Sequence, residues 1–450
     1  MLNKNRFPLA EWVMDHTLKN GADEAAVSIS DRRGVSVEFR DRKPEQLKES
    51  VQSSLGLTIY ARHRYSNHST NDLRKEFLSK FIRNAVEMTG YLTEDEYRSL
   101  PSPECYPESP PFKEGGKGDF YADFKLCDSD YHAVESSRRM KIASETEEAA
   151  LAQSDQIISV SAEYSDMYAE SVRIHSNGFS GEARGTVFSA SANVTVSDPA
   201  GGRPEAGFGA NARFCKELLD AEIVGRAAAE RALRKIGQKK IASGKYDMIV
   251  ENRMGGRLIS ALTGPMSGGA LQQRNSFLEG MAGKRIASEK LTMIDDPFIE
   301  KGFGSRFFDG EGLAAEKRVM IEKGILRNYY IDTYYGKKLG MAPTSGAASN
   351  TVFEYGSKSP QEMIRDIKKG ILITGFIGGN SNPTTGDFSF GIVGMLIENG
   401  TIVRPVNEMN ISGNAREFWK QLIEMGNDPY PYSSVRIPAM FFEGVNFSGI

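Results

Sequence analysis

The chain has 450 residues, a net charge of −3 and 26% charged residues. This length exceeds what one ordinary hydrophobic core fills, so two or three domains are expected. The slightly acidic balance excludes the basic footprint of a nonspecific nucleic-acid-binding protein, and 40% hydrophobic residues is an ordinary globular value.

The cysteines and the N-terminus bear on the cellular compartment. Cys105, Cys127 and Cys215 are widely spaced and form no CxxC pair, which is typical of a reduced cytosolic chain. Glu11 and Asp15 interrupt the apolar positions near the N-terminus, so no signal-peptide core is formed there. No window approaches the roughly 20 apolar residues that cross a bilayer. We therefore expect a soluble, cytoplasmic protein without membrane association.

The first 100 residues alternate between helical and strand patterns. A helix is predicted over residues 7–18, and Asn20 and Gly21 end it. The segments "AAVSIS", "GVSVEFR" and "GLTIYARHR" are short and rich in β-branched residues, so they predict separate antiparallel strands. Helical spacing returns over residues 77–86.

A linker divides this unit from a second one of similar pattern. Residues 99–118 are dense in Pro, Ser, Glu and Gly, which is typical of an exposed linker. After it come a helix, the strand-like segments "IISVSAEYSD", "YAESVRIHSNG" and "GTVFSASANVTVS", and another helix. Both units run helix, strands, helix, which indicates a weak internal duplication. We predict an N-terminal α+β domain over 1–238, made of subunits 1–98 and 119–238.

The remainder of the chain, residues 239–450, has a different amino-acid composition. Glycine becomes frequent, which favours many tight turns between strands. Two such turns, Lys323-Gly324 and Asn399-Gly400, lie between apolar segments and predict β-hairpins. We predict a mostly antiparallel β domain with a few helices, and an α+β fold class for the whole chain.

Histidine and cysteine are absent from this glycine-rich part. All five histidines precede residue 176 and the last cysteine is Cys215, so a zinc site built from His or Cys within the C-terminal domain is excluded. His63 and His68 are the one close pair, and along a single strand they would point to opposite faces. We interpret them as solvated hairpin-tip residues, although a turn between them would allow a metal site.

Other catalytic arrangements are weakly supported. Ser260 and Ser267 lie in a Gly/Ser-rich segment without a histidine base nearby, and Gly283-Lys284 lacks the earlier glycine of a phosphate-binding loop. The carboxylates Asp295, Asp296, Asp309 and Glu311 are a candidate acid pair or hard-cation site. Since they stand next to Pro and Gly, turn chemistry is the preferred interpretation.

The segment "GFIGGNSNPTTGDFSFG", Gly375 to Gly391, is unusually rich in glycine and short polar side chains. Such a composition suits binding of a peptide main chain, and the alternative is a long polar loop between two buried strands. The candidate peptide-cleft residues are Gly378, Gly379, Asn380, Thr385, Gly386 and Asp387.

Several segments in this order resemble the TldD/PmbA family. They are "SGGALQQRNSFLEGMAGKRI", "FFDGEGLAAEKRVMIEKGIL", "YYGKKLGMAPTSG", "TGDFSFGIVGMLIENGTIVRPVNEMNISGN" and "MGNDP", and the likeness covers most of the chain. The resemblance implies a bacterial peptidase made of paired related subunits, which carried the earlier label of modulators of DNA gyrase.

The resemblance also implies where a zinc site would lie. In the catalytic TldD-like branch an HExxxH helix and a late cysteine hold zinc, and the glutamate acts on water. At the corresponding positions this chain has Ile259, Ser260 and Gly264, and the late cysteine is missing. The departures match the PmbA branch, also called TldE, so no cofactor is expected in this chain and zinc is expected in its catalytic partner.

The function implied is therefore a non-catalytic subunit of a heteromeric zinc peptidase that acts on unfolded or leader peptides. Its partners would be a TldD-like catalytic subunit and a peptide substrate. Two alternatives stay open: a stand-alone homodimeric binding protein that modulates a large target such as gyrase, and a hydrolase that uses the carboxylates of residues 295–311.

Overall fold

The computed structural model describes residues 5–107 and 124–450. Residues 108–118 of the predicted linker lie outside the described residues. Within the described ranges, no helix is both long and apolar enough to cross a membrane.

One antiparallel sheet organises the N-terminal part of the described chain, in the strand order β3-β2-β1-β4-β5-β6. Its strands are β1 (Glu24–Arg40), β2 (Lys43–Ala61), β3 (Arg64–Thr70), β4 (Ile157–His175), β5 (Ser180–Val196) and β6 (Glu205–Ala212). The helices are α1 (Phe7–Lys19), α2 (Lys75–Thr89), α3 (Ser136–Leu151) and α4 (Ala221–Leu233). Each half of the sheet is thus a three-stranded meander preceded and followed by a helix, the element order that the sequence predicts.

The two meanders meet at their first strands. β1 pairs with β4 antiparallel from Ala26 opposite His175 to Arg40 opposite Ser161. Alternate residues of β1, such as Val27 and Val37, are buried against the helices. The two predicted subunits therefore share one continuous sheet and one helical layer.

The strands are longer than the sequence predicts. "AAVSIS" and "GVSVEFR" belong to the single strand β1, and the first two segments of the second unit belong to β4. The predicted breaks are wrong because the polar residues between the segments are accommodated. Asp31 is buried and paired with Arg6 at 2.6 Å, and Gly34 keeps its pairing with both neighbouring strands.

The C-terminal part contains two further sheets in the described residues. The strands are β7 (Gly244–Val250), β8 (Met293–Asp295), β9 (Arg318–Glu322), β10 (Ile325–Leu326), β11 (Thr351–Phe353), β12 (Lys369–Ser381), β13 (Asp387–Glu398), β14 (Thr401–Asn414), β15 (Leu422–Met425), β16 (Val435–Arg436) and β17 (Met440–Ser448). The helices are α5 (Gly256–Thr263), α6 (Gly268–Gln272), α7 (Thr333–Leu339), α8 (Pro360–Arg365) and α9 (Ala415–Phe418). Short 3-10 turns occur at Pro103–Cys105, Tyr131–Ala133, Cys215–Glu217, Gly264–Met266 and Trp419–Gln421.

The larger of these sheets runs β14-β13-β12-β7-β17-β15, and β14 also pairs with β17. This extra pairing closes five strands into a small barrel, whose interior holds buried residues such as Phe390, Ile411 and Phe442. The smaller sheet runs β10-β9-β8-β11-β16. Only the β7–β12 and β11–β16 pairings of the described strands are parallel, so the α+β prediction with mostly antiparallel sheets is confirmed.

Both predicted hairpin turns are present. Lys323 and Gly324 have φ values of 44° and 76°, and they connect β9 to β10. Asn399 and Gly400 have φ values of 48° and 77°, and they connect β13 to β14. Two consecutive left-handed residues are the signature of a type I′ turn, whose twist matches that of the flanking strands.

A cation clamp joins the N-terminal part to α7. The guanidinium carbon of Arg98 lies 4.4 Å from the ring centroid of Tyr65 and 3.4 Å from that of Tyr334. The Tyr334 hydroxyl donates to Asp95 at 2.7 Å, and Lys338 lies 3.3 Å from the same carboxylate. This contact fixes the segment after α2 against the C-terminal domain.

Candidate functional site

The helix α5 carries the positions at which the resemblance places a zinc motif. Its buried side, Leu258, Ile259 and Leu262, packs into the barrel core. Arg257 and Ser260 are exposed on the opposite side. The helix is amphipathic with three apolar residues spaced at i, i+1 and i+4, and Pro265 ends it by opening a 3-10 turn.

The side chains at these positions do not fit a zinc ion. Ile259 is a hydrocarbon with 3% exposure, and Gly264 has no side chain. The Ser260 hydroxyl donates to the carbonyl of Gly256 at 2.8 Å, one turn back along the helix. Zinc in proteins is held by thiolate, imidazole or carboxylate, and none of the three supplies one. Among residues 5–107 and 124–450, no group of three His, Cys, Asp or Glu side chains is placed to hold a metal ion.

The candidate peptide-cleft segment is a β-hairpin. Gly378, Gly379 and Asn380 belong to β12, and Asp387 begins β13. The alternative of a long polar loop does not hold, because only Asn382 to Gly386 connect the strands and the polar residues before them are paired with β13.

A bulge explains the paired glycines. The register of β12 shifts between Phe376 and Gly379, and Gly378 and Gly379 have φ values of 124° and 99°. A Cβ atom on Gly379 would lie 2.1 Å from the carbonyl oxygen of Ser389, so this position excludes any side chain. After the bulge, the exposed Asn380 stands opposite Ser389.

The connection of the hairpin is held by its own polar side chains. The Thr385 hydroxyl donates to Asp387 at 2.7 Å, and Asn414 donates to the other oxygen of that carboxylate at 2.9 Å. Hydrogen bonds from Asn414 and Thr385 lower the pKa of Asp387. Gly386 has a φ of 86° and is buried against Phe277.

Helix α5 and the β12–β13 hairpin are in contact. Arg257 of α5 donates to the carbonyl of Gly379 at 2.8 Å, and its guanidinium lies 5.1 Å from the ring centroid of Phe390. On the other side of the hairpin, Phe277 donates its amide to the carbonyl of Pro383 at 2.8 Å. The two sets of candidate residues therefore form one surface, called here the helix–hairpin surface: Arg257, Ser260, Gly264 and the hairpin residues 377–389.

The candidate carboxylates serve local structure. The side chain of Asp296 accepts the amide of Phe298, and that of Asp309 accepts the amide of Glu311, in each case from two residues further along the chain. Asp295 is buried and accepts both the amide and the hydroxyl of Ser349 at 2.6 Å. The turn chemistry preferred for these residues is thus confirmed for Asp296 and Asp309.

Glu311 is held in the same way, by α7. Its carboxylate accepts the amide and the hydroxyl of Thr333 at 2.8 and 2.9 Å. Burial raises the pKa of Glu311, and these two hydrogen bonds oppose the shift. Each of the four carboxylates therefore already has a donor.

The histidine pair is divided between a turn and a strand. His63 has a φ of 60° in the turn between β2 and β3 and is exposed, as expected for a hairpin tip. His68 lies in β3 and its Nε2 is 2.9 Å from the Ser66 hydroxyl, so the interpretation as a solvated tip residue is wrong for His68. Burial lowers the pKa of His68.

A large cavity between α4, β6 and the barrel was not anticipated from the sequence. Its volume is about 880 Å³, and Arg231, Lys235 and Arg253 contribute cations to its wall. Arg231 lies in the last turn of α4 and Lys235 follows two residues after the end of this helix, so their closeness in the sequence is a local signal. Arg253 comes from a distant part of the chain, so only the fold reveals the cluster.

Comparison with known proteins gives the class of protein. Family models of the PmbA/TldA metallopeptidase match three consecutive parts: domain 1 over residues 25–89, the central domain over 130–236 and the C-terminal domain over 243–449. The chain thus has the domain series of a metallopeptidase family.

Individual relatives agree with these matches. The Metalloprotease PmbA of Escherichia coli O157:H7 is 26% identical over 434 residues, which cover 95% of this chain and 93% of that protein. A crystal structure from Bacteroides thetaiotaomicron, described as a candidate modulator of DNA gyrase, is 41% identical with a TM-score of 0.95 and full coverage of both chains. TldE from Thermococcus kodakarensis shares the fold, with a TM-score of 0.85, 21% identity and coverage of 98% of this chain and 100% of that one. The chain belongs to the PmbA/TldD/TldE family of metalloprotease-like proteins.

Proposed function

We propose that this chain is the PmbA/TldE-like, non-catalytic subunit of a heteromeric zinc-dependent peptidase. The observation that supports the proposal is the chemistry of α5 and its C-cap, where a buried isoleucine, a serine and a glycine lie at the positions at which the resemblance places the zinc ligands and the general base. A chain of this family without those groups can contribute to peptide cleavage through binding, while the metal chemistry takes place in a TldD-like partner.

The helix–hairpin surface is our candidate for the wall of the peptide cleft. Its β12 and β13 strands expose Asn380 and Ser389 side by side, and nearby Ile377 is 54% exposed. Within the described chain β12 pairs with β7 only up to Ile373, so its far end has a free edge, whereas β13 is paired on both sides. A free strand edge binds an extended main chain and rejects folded proteins, because a folded protein has few unpaired backbone groups to offer. Unfolded or leader peptides are therefore the proposed substrates.

The first test is purification of the tagged chain from its native cells, with identification of the co-eluting proteins. We expect a related chain that carries HExxxH, at near-equal stoichiometry. Recovery of this chain alone, as a monomer or a homodimer, would contradict the proposal and favour the stand-alone binding protein.

The second test addresses the surface itself. In the reconstituted pair, we expect the double change Asn380→Ala and Ser389→Ala to lower kcat/KM for an unfolded peptide about tenfold, since hot-spot side chains cost on the order of 1–3 kcal/mol. Asn71→Ala, a change of another exposed asparagine, is the matched control. Unchanged cleavage by the double variant, with normal partner binding, would remove this surface from the cleft.

A further inference from the structure

The cavity between α4, β6 and the barrel holds more positive than negative charge. The cations are Arg231, Arg234, Lys235 and Arg253, and the carboxylates are Glu251 and Asp428. Arg231 is paired with Glu251, and Asp428 accepts the amide of Ala439 at 2.9 Å. Arg234 lies 3.7 Å from Glu230, so Lys235 and Arg253 remain opposite the single charge of Asp428, and the cluster keeps a net positive charge.

Arg253 is the cation in this cluster whose side chain has buried nitrogen atoms without hydrogen-bond partners in the described chain. Its Nε and Nη1 atoms are buried and have no hydrogen-bond partner among the described residues. The guanidinium lies 5.4 Å from the ring centroid of Phe208, a contact that offers no hydrogen-bond acceptor in the plane of the guanidinium. Arg253 as a whole is half-buried, but buried donor atoms without an acceptor are costly, so these two nitrogens indicate that a ligand supplies the missing acceptor. Burial and the neighbouring Arg231 lower the pKa of Arg253, which agrees with a missing counter-charge.

The cavity also contains a free strand edge. β6 is the last strand of its sheet, and within the described chain it pairs only with β5. The carbonyl of Glu205 accepts Lys235 at 2.5 Å and that of Gly209 accepts the Tyr430 hydroxyl at 3.4 Å, so these peptide groups face away from β5. Alternation along the strand gives the peptide groups of Gly207 the same orientation, toward the cavity.

We propose that this cavity binds a carboxylate of an extended peptide together with the adjoining main chain, with the carboxylate on Arg253 and the main chain paired with Gly207. Arginine offers two parallel donors to a carboxylate, and the peptide N–H and C=O of Gly207, between the two occupied carbonyls of Glu205 and Gly209, offer one donor and one acceptor to a main chain. The walls add the apolar and aromatic side chains of Phe208, Phe376 and Tyr430. The volume falls in the range of small-ligand sites.

The inference rests on the proposed function for the ligand class, an unfolded peptide, and adds where its carboxylate is bound. It is tested on the isolated full-length chain, so that loss of a catalytic partner cannot be mistaken for loss of this site. The probe is an acetylated six-residue peptide of Val, Thr and Ser with a free C-terminal carboxylate, titrated calorimetrically. The same peptide with a C-terminal amide, an amide with one internal Asp, and sodium phosphate complete the set.

We expect the acid peptide to bind at least about tenfold more tightly than the plain amide. Arg253→Gln should remove that difference, and Lys235→Gln should reduce it, whereas Arg226→Gln should leave it intact. Arg226 is the matched control because it lies on α4, is exposed, and does not line the cavity. Thermal unfolding of Arg253→Gln should stay close to that of the unchanged chain, since Nε and Nη1 have no hydrogen-bond partner among the described residues and the contact with Phe208 is a small loss.

The internal-Asp amide separates the two sources of the carboxylate. Tight binding of the acid peptide alone assigns a C-terminus, and equal binding of the internal-Asp amide assigns a side-chain carboxylate; both outcomes support the site. Equal binding of the acid and plain amide peptides, or binding of phosphate without binding of any peptide, would overturn it.

Discussion

A buried histidine should make the stability of the fold depend on pH. His175 ends β4, is 6% exposed, and its Nδ1 lies 3.0 Å from the hydroxyl of Tyr106, with which it shares a hydrogen bond. Burial, and then the nearby charge of Arg173, lower the pKa of His175 to about 3 from a usual value of 6.5. The folded protein therefore holds this imidazole neutral at pH values where an unfolded chain protonates it.

Stability should consequently fall as the pH falls below about 6.5. Between that pH and about 3, the unfolded chain binds one more proton than the folded chain, which costs about 1.4 kcal/mol of unfolding free energy per pH unit. Urea denaturation of His175→Gln from about pH 6.5 to 4.5 should give a flatter pH dependence than the unchanged chain. His132→Gln, at an exposed position, is the control, and parallel curves for all three proteins would contradict the assignment.

At the scale of the element, the β12 bulge is specified by backbone sterics. We expect Gly379→Ala to lower the unfolding free energy by at least about 2 kcal/mol, because it adds both a strained positive φ and a clash with the Ser389 carbonyl. Gly378→Ala adds strain without any atom within 4 Å, so its loss should stay near about 1 kcal/mol. Chemical denaturation of the two variants measures the difference, and equal losses would show that the bulge relaxes freely.

The elements show what local sequence could predict. The end of α1 at Asn20 and Gly21, and the turns at Lys323-Gly324 and Asn399-Gly400, follow from backbone preferences of a few residues. The length of β1 could not be predicted in this way, because the buried Asp31 is paired with Arg6, which directly precedes α1 and is distant in the sequence. Local patterns fix turns and helix ends, while compensation between distant residues is visible only after folding.

In the candidate site, too, some features could be predicted from local sequence and others are visible only in the folded structure. The resemblance places a zinc motif at Ile259, Ser260 and Gly264, and the sequence alone shows that none of these residue types carries a thiolate, imidazole or carboxylate. Their contact with the hairpin depends on Arg257 reaching the carbonyl of Gly379, a backbone atom that no sequence pattern marks. The unpaired Arg253 likewise emerges only from the packing around it.

At the scale of the whole molecule, the Arg98 clamp should couple the N-terminal part to the C-terminal domain. Arg98→Ala removes a cation between two aromatic rings, for which we expect a loss of about 1–3 kcal/mol. Calorimetric unfolding should then broaden or split, because the two parts lose a contact that makes them unfold together. Arg74→Ala, at an exposed ion pair with Asp72 within the N-terminal part, should keep a single transition. A sharp transition in both variants would show that other contacts suffice.

The shared sheet of the N-terminal part has a consequence for fragments of this protein. A fragment that ended at residue 98 would keep β1 but lose β4, its partner strand from Ala26 to Arg40. It would then present a long strand edge with unsatisfied amides and carbonyls next to apolar side chains, which is a template for aggregation. During synthesis the first meander is complete roughly 100 residues before β4 is made, so the edge of β1 stays unpaired for that time. This edge is therefore the place where a chaperone would be needed.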